Sequence, residues 1–377
     1  MLRNVVAVIG AGPAGCSTAI RLKRLMPQLE VVLYEQRPAI GKRECGEAVS
    51  RYAFDENSDI LGKYGREYSR YIARNVNEII WKIGNNEKII KAEGCMIYRP
   101  AFNSTLTEIA EVAGVELRTD STVVPERKLP EGWKIRIKTS EREYDKICDV
   151  IVAADGASSA TALKCGLITD TEHKLWFRNH ALGYQIKTKS SFSKEPLIFD
   201  FTSAEDPGIE YHYAFYHHNG VSNFGFLTTK QIVSKDFFKE ENDRWIKRLG
   251  VDVHDVIDEV HQHIPIGGPI PKTYGDGILV VGDAAGHTNP ITGGGVHAAL
   301  EGGKIAAKTI AKAYEVGDVG EAVLKAYEDA WKTYPFASDV LFRGKYALRR
   351  LREGQKLEER ELLDYAECLD VIRVWGW

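Results

Sequence analysis

The apolar pattern of this chain opens with a run that has no polar interruption. Residues 4–9 (NVVAVI) are β-branched and apolar, which predicts a strand buried on both faces. A glycine-rich turn, Gly10-Ala11-Gly12-Pro13-Ala14-Gly15, follows, and helical spacing continues to about Met26. Residues 30–34 (EVVLY) predict a second strand that ends at Glu35, so the first 35 residues read as one βαβ unit. Residues 51–95 lack strong helical periodicity and carry alternating segments at 76–83 and 88–92. Residues 102–113 (FNSTLTEIAEVA) predict an amphipathic helix capped by Asn103 or Ser104. Successive strands are expected over 115–125, 133–139 and 143–154, and repeated alternation over 181–228 predicts a β-sheet. A helix is expected over about 237–249. Residues 278–282 (ILVVG) return to the buried parallel-strand pattern, 296–314 predict a long helix, and about 318–370 reads as helical and charged. There is no repeat, low-complexity tract or Pro/Gly/Ser linker, so domains should interleave and not follow in series.

Composition narrows the class. At 377 residues the chain suggests about two domains. Charged residues at 27% and hydrophobic ones at 44% give the balance of a soluble folded protein. Lys plus Arg is 50 against 53 for Asp plus Glu, a net charge of −3 that makes no case for nucleic-acid binding. No apolar run approaches the roughly 18 residues of a spanning helix. The N-terminus enters a strand pattern at once with no signal-peptide pattern, so a cytoplasmic location is expected. Cys16, Cys45, Cys95, Cys148, Cys165 and Cys368 form no CxxC pair, so neither a zinc site nor a disulfide framework is expected. Most read as apolar fillers, with Cys45 as the exception. His212, His217, His218, His261, His263, His287 and His297 cluster only on paper, and no metal is expected; His287 alone sits in a loop with chemistry.

That chemistry begins at the first turn. GxGxxG is weak alone, but here a strand precedes it, a helix follows it, and an acidic residue lies about 20 positions on. Gly10 permits the tight turn, Gly12 lets backbone approach a pyrophosphate, and Gly15 lets helix and strand pack closely. The helix N-terminus offers free N–H groups to phosphate, and Glu35 can accept hydrogen bonds from a ribose. Two further strand ends repeat the theme. Residues 149–156 (DVIVAADG) end in Asp155-Gly156. Residues 278–295 (ILVVGDAAGHTNPITGGG) end a strand in Gly282-Asp283, pass Pro290, and enter a helix after Gly293-Gly294-Gly295 near Val296. Three such sites suit a long dinucleotide such as FAD.

These three segments resemble the signature of the p-hydroxybenzoate-hydroxylase-like FAD flavoproteins. Within that group, RECGEAVS (43–50) and NPITGGGVHAALEGGKIAA (289–307) are similar to segments of the geranylgeranyl reductase family, and the resemblance covers about the first 315 residues. It implies an α/β fold: an FAD-binding Rossmann-like domain of the p-hydroxybenzoate hydroxylase and glutathione reductase type, interleaved with an antiparallel β-sheet substrate domain, plus C-terminal helices. The expected boundaries are 1–55, 96–170 and 265–315 for FAD binding, 56–95 and 171–264 for the substrate domain, and 316–377 for the helical region. Ala14, Glu35, Cys45, Gly46, Ala48, Arg99, Val123, Asp283, Gly295 and Val296 fall where the family contacts FAD, and Gln36 joins Glu35 at the same strand end. Arg99 suits a pyrophosphate because a guanidinium pairs bidentately; the alternative is an ordinary surface salt bridge.

The family carries a YxWxFP motif over the flavin, and Tyr211-His212-Tyr213-Ala214-Phe215-Tyr216 stands in its place, with Tyr213 for tryptophan and Tyr216 for proline. Alternation puts Tyr211, Tyr213 and Phe215 on one strand face, as a wall for an apolar ligand or as plain sheet core. In the resembling family the loop Cys45-Gly46-Glu47 lies beside the flavin ring. Cys45 is there a candidate to tune the flavin or supply a proton, and Glu47 a general acid provided burial raises its pKa; pure loop packing is the competing reading. The expected activity is reduction of isoprenoid double bonds by reduced FAD, with NAD(P)H or another donor visiting transiently. A flavin monooxygenase of the same fold and a non-catalytic lipid binder stay open as alternatives. The basic stretch 343–352 (RGKYALRRLR) reads either as a peripheral membrane contact or as a solvated helix face.

Overall fold

The computed structural model describes residues 2–41, 45–62, 70–83, 86–201, 211–230, 234–290 and 292–334. The basic stretch 343–352 and Cys368 lie outside the described residues, as do Arg43 and Glu44. Along the chain come β1 (Val5–Ile9), α1 (Pro13–Leu25), β2 (Glu30–Tyr34), β3 (Ala48–Ser50), α2 (Arg51–Asp55), α3 (Ser58–Leu61), β4 (Ile72–Ile83), β5 (Asn86–Ile97) and α4 (Arg99–Val112). Then follow β6 (Glu116–Arg118), β7 (Thr122–Leu129), β8 (Gly132–Lys138), β9 (Glu143–Cys148), β10 (Val150–Ala153), α5 (Ala160–Lys164) and α6 (Asp170–Phe177). The next stretch holds β11 (Ala181–Ser190), β12 (Leu197–Asp200), β13 (Tyr211–His218), β14 (Val221–Thr228), α7 (Lys235–Arg248) and β15 (Val253–Ile264). Last are β16 (Tyr274–Gly275), β17 (Ile278–Val280), α8 (Val296–Val316) and α9 (Glu321–Thr333).

Strands β16-β17-β10-β1-β2-β6 form a six-stranded sheet that is parallel except for the edge pair β16–β17. The uninterrupted apolar sequence of β1 follows from its place: all five residues are buried between two layers. Val6 and Val8 pack into the cluster with α1, α4, α8 and α9, while Val5, Ala7 and Ile9 pack against Trp133, Ile135 and Ile137 of the three-stranded sheet β7-β8-β9. The period of two thus feeds two cores from one strand. α1 starts with Pro13 at its first turn and ends with Lys23 and Arg24, as its dipole favours.

The second sheet has eight strands in the order β15-β11-β14-β13-β12-β4-β5-β3. It is mixed and not wholly antiparallel as expected, because β12 runs parallel to β4. Those two strands come from separate chain segments with the nucleotide-fold elements between them, so no hairpin forces them antiparallel. β3, from the segment 1–55 assigned to the nucleotide domain, pairs with β5 and so belongs to this second sheet. On β13, Tyr211, Tyr213 and Phe215 join one cluster with Trp81 and Phe199, while Ala214 packs in another with Phe224, Phe226 and Trp245 under α7.

One helix start differs from expectation, and two short helices were not expected. α4 begins at Arg99 behind Tyr98, not at Asn103 or Ser104, because Pro100 sits in its first turn where a missing N–H costs nothing. α2 and α3, of five and four residues, are too short to leave a helical period in the sequence.

Candidate active site: a cavity between two sheets

One cavity of about 460 Å³ lies where the C-terminal ends of β1, β10 and β17 meet the aromatic face of the second sheet. The crevice beyond the carboxyl ends of parallel strands is where such sheets bind ligands. Gly12, Pro13, Ala14, Cys45, Gly46, Glu47, Ala48, Arg99, Asp155, Gly156, Asp283, Gly293, Gly294, Gly295 and Val296 line it, together with Tyr211, Tyr213 and Phe215. Gly10, Gly15, Glu35, Gln36, Val123, Gly282 and Pro290 do not. Val123 packs its side chain into the core beside Trp133. Glu35 is buried at the end of β2, where its carboxylate accepts from the N–H groups of Ala11 and Arg37 at 3.3 and 3.2 Å. Phe199, Phe226, Leu227 and residues 261–264 also line the cavity, and no sequence motif marks them as wall residues. Their signal was strand alternation, which does not say which face meets a ligand.

The three glycines of the first turn divide their work. Gly10 has φ +108°, and a Cβ there would lie 2.2 Å from the Ala154 carbonyl oxygen. A Cβ on Gly15 would lie 2.0 Å from the Gly10 carbonyl oxygen. Both therefore serve strand–helix packing. Gly12 is different: nothing lies within 4 Å of its would-be Cβ, and it faces the cavity.

Two helix N-termini converge on this space. Neither α1, capped by Gly12, nor α8, capped by Gly295, has a side-chain cap bond. Their first-turn N–H groups form two electropositive ends of the kind that bind phosphate or a developing anion. Asp155 accepts from Thr161 N at 2.8 Å through Oδ2, while its Oδ1 is buried with no hydrogen-bond partner. Burial raises this carboxyl above its ordinary value, and the free oxygen calls for a hydroxyl donor. An open glycine cradle, two uncapped helix ends and an orphan carboxylate oxygen fit a dinucleotide with phosphates and polyol hydroxyls.

Arg99 is buried and, among the described residues, forms no salt bridge. Its Nε donates to Asn103 Oδ1 at 3.0 Å and its Nη1 to Cys45 Sγ at 3.1 Å. The Cys45 sulfur also accepts from Glu47 N at 3.2 Å. Glu47 corrects an expectation. Burial does act to raise its carboxyl, but bonds from His217 and Lys187 outweigh it and hold the group down at about 2. Oε2 accepts from Lys187 Nζ at 2.5 Å, His217 Nε2 at 3.0 Å and Asn223 Nδ2 at 3.2 Å, and Oε1 accepts from Arg99 N at 3.0 Å. Glu47 is an ionised anchor with no proton to give at neutral pH. Its backbone sits at φ +67°, the left-handed region, which costs about 1–2 kcal/mol. Hydrogen bonds to a charged group contribute about 1.5–3 kcal/mol each, so the carboxylate's bonds win.

The aromatic wall is laid flat by register. Tyr213 stands opposite Gly225, and Gly225 stands opposite Gln185 on the next strand. The Tyr213 ring therefore crosses β14 over the glycine and donates its hydroxyl to Gln185 Oε1 at 2.7 Å. A Cβ on Gly225 would lie 1.9 Å from Tyr213 Cζ. Gly225→Ala should lift that ring toward the cavity. We expect the overpacking to cost about 1–3 kcal/mol of stability, measured by thermal melting. Tyr211 donates to the Thr292 carbonyl at 2.6 Å, tying the wall to the glycine-rich turn before α8.

This architecture, a parallel nucleotide sheet roofed by a second sheet with the cavity between them, is that of the FAD-binding flavoproteins. A geranylgeranyl bacteriochlorophyll reductase-like protein of Thermoplasma acidophilum aligns with a TM-score of 0.80 at 22% identity, covering 97% of this chain and 98% of that one. A flavin-dependent brominase aligns with a TM-score of 0.71 at 18% identity, covering 99% and 95%. In sequence, residues 5–355 match the family described as lycopene cyclase protein. Digeranylgeranylglycerophospholipid reductase 2 of Methanothermobacter thermautotrophicus is 30% identical over 342 residues, 87% of this chain and 83% of that protein. The chain belongs to the digeranylgeranylglycerophospholipid reductase family, and by fold and family it is a flavoprotein oxidoreductase.

Proposed function

We propose that the protein is an FAD-dependent reductase that saturates carbon–carbon double bonds of a geranylgeranyl-type chain carried on a lipid. The observation that carries this reading is the continuity of one cavity from the Gly12 cradle to the aromatic wall of Tyr211, Tyr213 and Phe215. When bound, FAD supplies the hydride that adds to one alkene carbon. Gly12 and the N-terminus of α1 would hold its pyrophosphate, Asp155 and Asp283 its hydroxyls, and the N-terminus of α8 would face its ring. A positive helix end there favours negative charge on the reduced cofactor. An alkene accepts hydride poorly, so the wall's task is to press the double bond into one orientation and exclude water. The second carbon needs a proton. Glu47 is ionised, and Cys45, which lines the same cavity, supplies the proton. The thiolate left behind meets the Arg99 guanidinium and the Glu47 N–H. NAD(P)H or another external donor would supply the electrons. Among the described residues no helix is long and apolar enough to cross a membrane.

The test is anaerobic incubation of dithionite-reduced protein with an unsaturated prenyl glycerophospholipid, followed by mass spectrometry. Each reduced bond should add two hydrogens, and Cys45→Ala should slow the reaction by about 100-fold or more. Unchanged lipid, or an oxygenated product formed only in air, would overturn the reading.

A further inference from the structure

Glu47 is held from one side by residues that come from three strands of the second sheet. Lys187 stands on β11, Asn223 on β14 and His217 on β13, adjacent strands in that order. None of the three lines the cavity, and all three touch the same carboxylate oxygen. Asn223 Nδ2 also donates to the Gly46 carbonyl at 3.1 Å. On the cavity side, Gly46 meets the Phe215 ring: a Cβ there would lie 3.3 Å from it. The loop is thus pinned by charge behind and by an aromatic ring in front.

The charged and titratable groups facing Glu47 are few. Lys187 carries the opposite charge and lies 5.7 Å over the Tyr98 ring. His217 is fully buried, and burial lowers it below its ordinary value; its Nε2 lies 3.0 Å from Glu47 Oε2, to which it donates as the Nε2–H tautomer, and 3.0 Å from Asn223 Nδ2. Arg74 lies behind it, with Nε donating to the Tyr216 carbonyl at 2.7 Å. Arg99 contributes its backbone N–H to the carboxylate and its guanidinium to Cys45.

We propose that Lys187, His217 and Asn223 are positioning residues that act through Glu47: they clamp its carboxylate and so fix the Cys45 thiol against the Arg99 guanidinium at the cavity wall. The coupling is short. Glu47 Oε1 holds Arg99 N, Glu47 N holds Cys45 Sγ, and Arg99 Nη1 holds the same sulfur. Releasing the carboxylate lets all three contacts drift together. Two N–H donors on the sulfur steady the thiolate formed when its proton leaves, and this governs both its reactivity and the proton transfer assigned to it above. The activity part of the proposal rests on that assignment; the reactivity part does not.

The experiment measures alkylation of Cys45 by iodoacetamide at pH 7 in the flavin-loaded protein, with the modified peptide quantified by mass spectrometry. Lys187→Met and His217→Phe should each slow alkylation of Cys45 by about tenfold, and Lys187→Arg should restore it. Lys187→Met leaves Glu47 buried without its counter-charge, which can cost the fold. The double variant Lys187→Met with Glu47→Gln removes both charges, should fold, and should alkylate as slowly as Lys187→Met alone. In turnover with a prenyl lipid, Lys187→Met should lower kcat by about 100-fold with KM little changed, and should add nothing in a Cys45→Ala background. Alkylation at the wild-type rate or faster in the folded double variant overturns the clamp. Absence of lipid reduction by the wild-type protein overturns the reductase reading and leaves the alkylation result to decide the clamp.

Discussion

Gly12→Val should yield a folded but colourless protein. The position has extended backbone, φ −79° and ψ −179°, which any residue adopts. Nothing lies within 4 Å of the new Cβ, so no clash opposes folding. Valine is a poorer N-cap than glycine, a cost of about 1 kcal/mol or less, and the melting temperature should fall only a few degrees. The two new methyl groups would occupy the space where a pyrophosphate must touch the backbone at the end of α1. Flavin affinity should fall about 100-fold or more, because phosphate contacts to that helix end cannot form. Gly10→Ala should do the reverse damage. Its φ of +108° is left-handed, and its Cβ would meet the Ala154 carbonyl oxygen at 2.2 Å, between β1 and β10. Strain plus overpacking should cost about 3–5 kcal/mol, enough to leave little folded protein. Thermal melts and the flavin absorbance of the purified variants check both. A yellow Gly12→Val protein with wild-type flavin content would remove the first turn from the cofactor site.

Mild acid should unfold this protein before its carboxylates titrate. Burial lowers His180, His212 and His287, each from 6.5 to about 3, so all three stay neutral in the folded state. The unfolded chain takes up their protons below its ordinary histidine value. Stability is therefore full above pH 6.5 and is lost as pH falls toward 3. One unit of pH in that window costs about 1.4 kcal/mol per histidine, so at pH 5 the three together cost about 6 kcal/mol. That is comparable with the whole stability of a domain. Glu47 acts lower down: its carboxyl lies at about 2 against an ordinary 4.5, so its contribution is present above 4.5 and is lost as pH falls to 2. His180 isolates the histidine term. Both its ring nitrogens are buried without partners, and it sits 4.3 Å from the Trp176 ring and 4.6 Å from the Phe177 ring. His180→Phe keeps that packing and removes the titration. Its urea midpoint should match or exceed wild type at pH 8 and exceed it by a growing margin down to pH 5, with a slope shallower by about one proton. A margin that does not change with pH would show that His180 titrates alike in both states.

The sequence alone determined what depends on a few consecutive residues. The strand–turn–helix of Gly10 to Gly15, the acidic ends of the strands that reach Glu35, Asp155 and Asp283, and the glycines before α8 were legible because each is a local device. A turn needs its glycine, a buried strand needs its apolar run, and a helix end needs no side chain to attract an anion. The facing of Tyr211, Tyr213 and Phe215 was legible for the same reason, since alternation along one strand sets it. Contacts between distant strands were not. Lys187, His217 and Asn223 lie far apart in the chain from Glu47 and meet only because β11, β14 and β13 are neighbours. Glu47 could be recognised as a site residue, but its charge state is set by these partners, and they turned an expected acid into a fixed anion. Arg99, expected to pair with a pyrophosphate or else to sit in a surface salt bridge, is a buried donor on sulfur by the same route. Tertiary structure decided protonation, orientation and which glycine faces the cavity, because these follow from electrostatic and steric fields summed over every neighbouring segment, and one-dimensional order does not encode that sum locally.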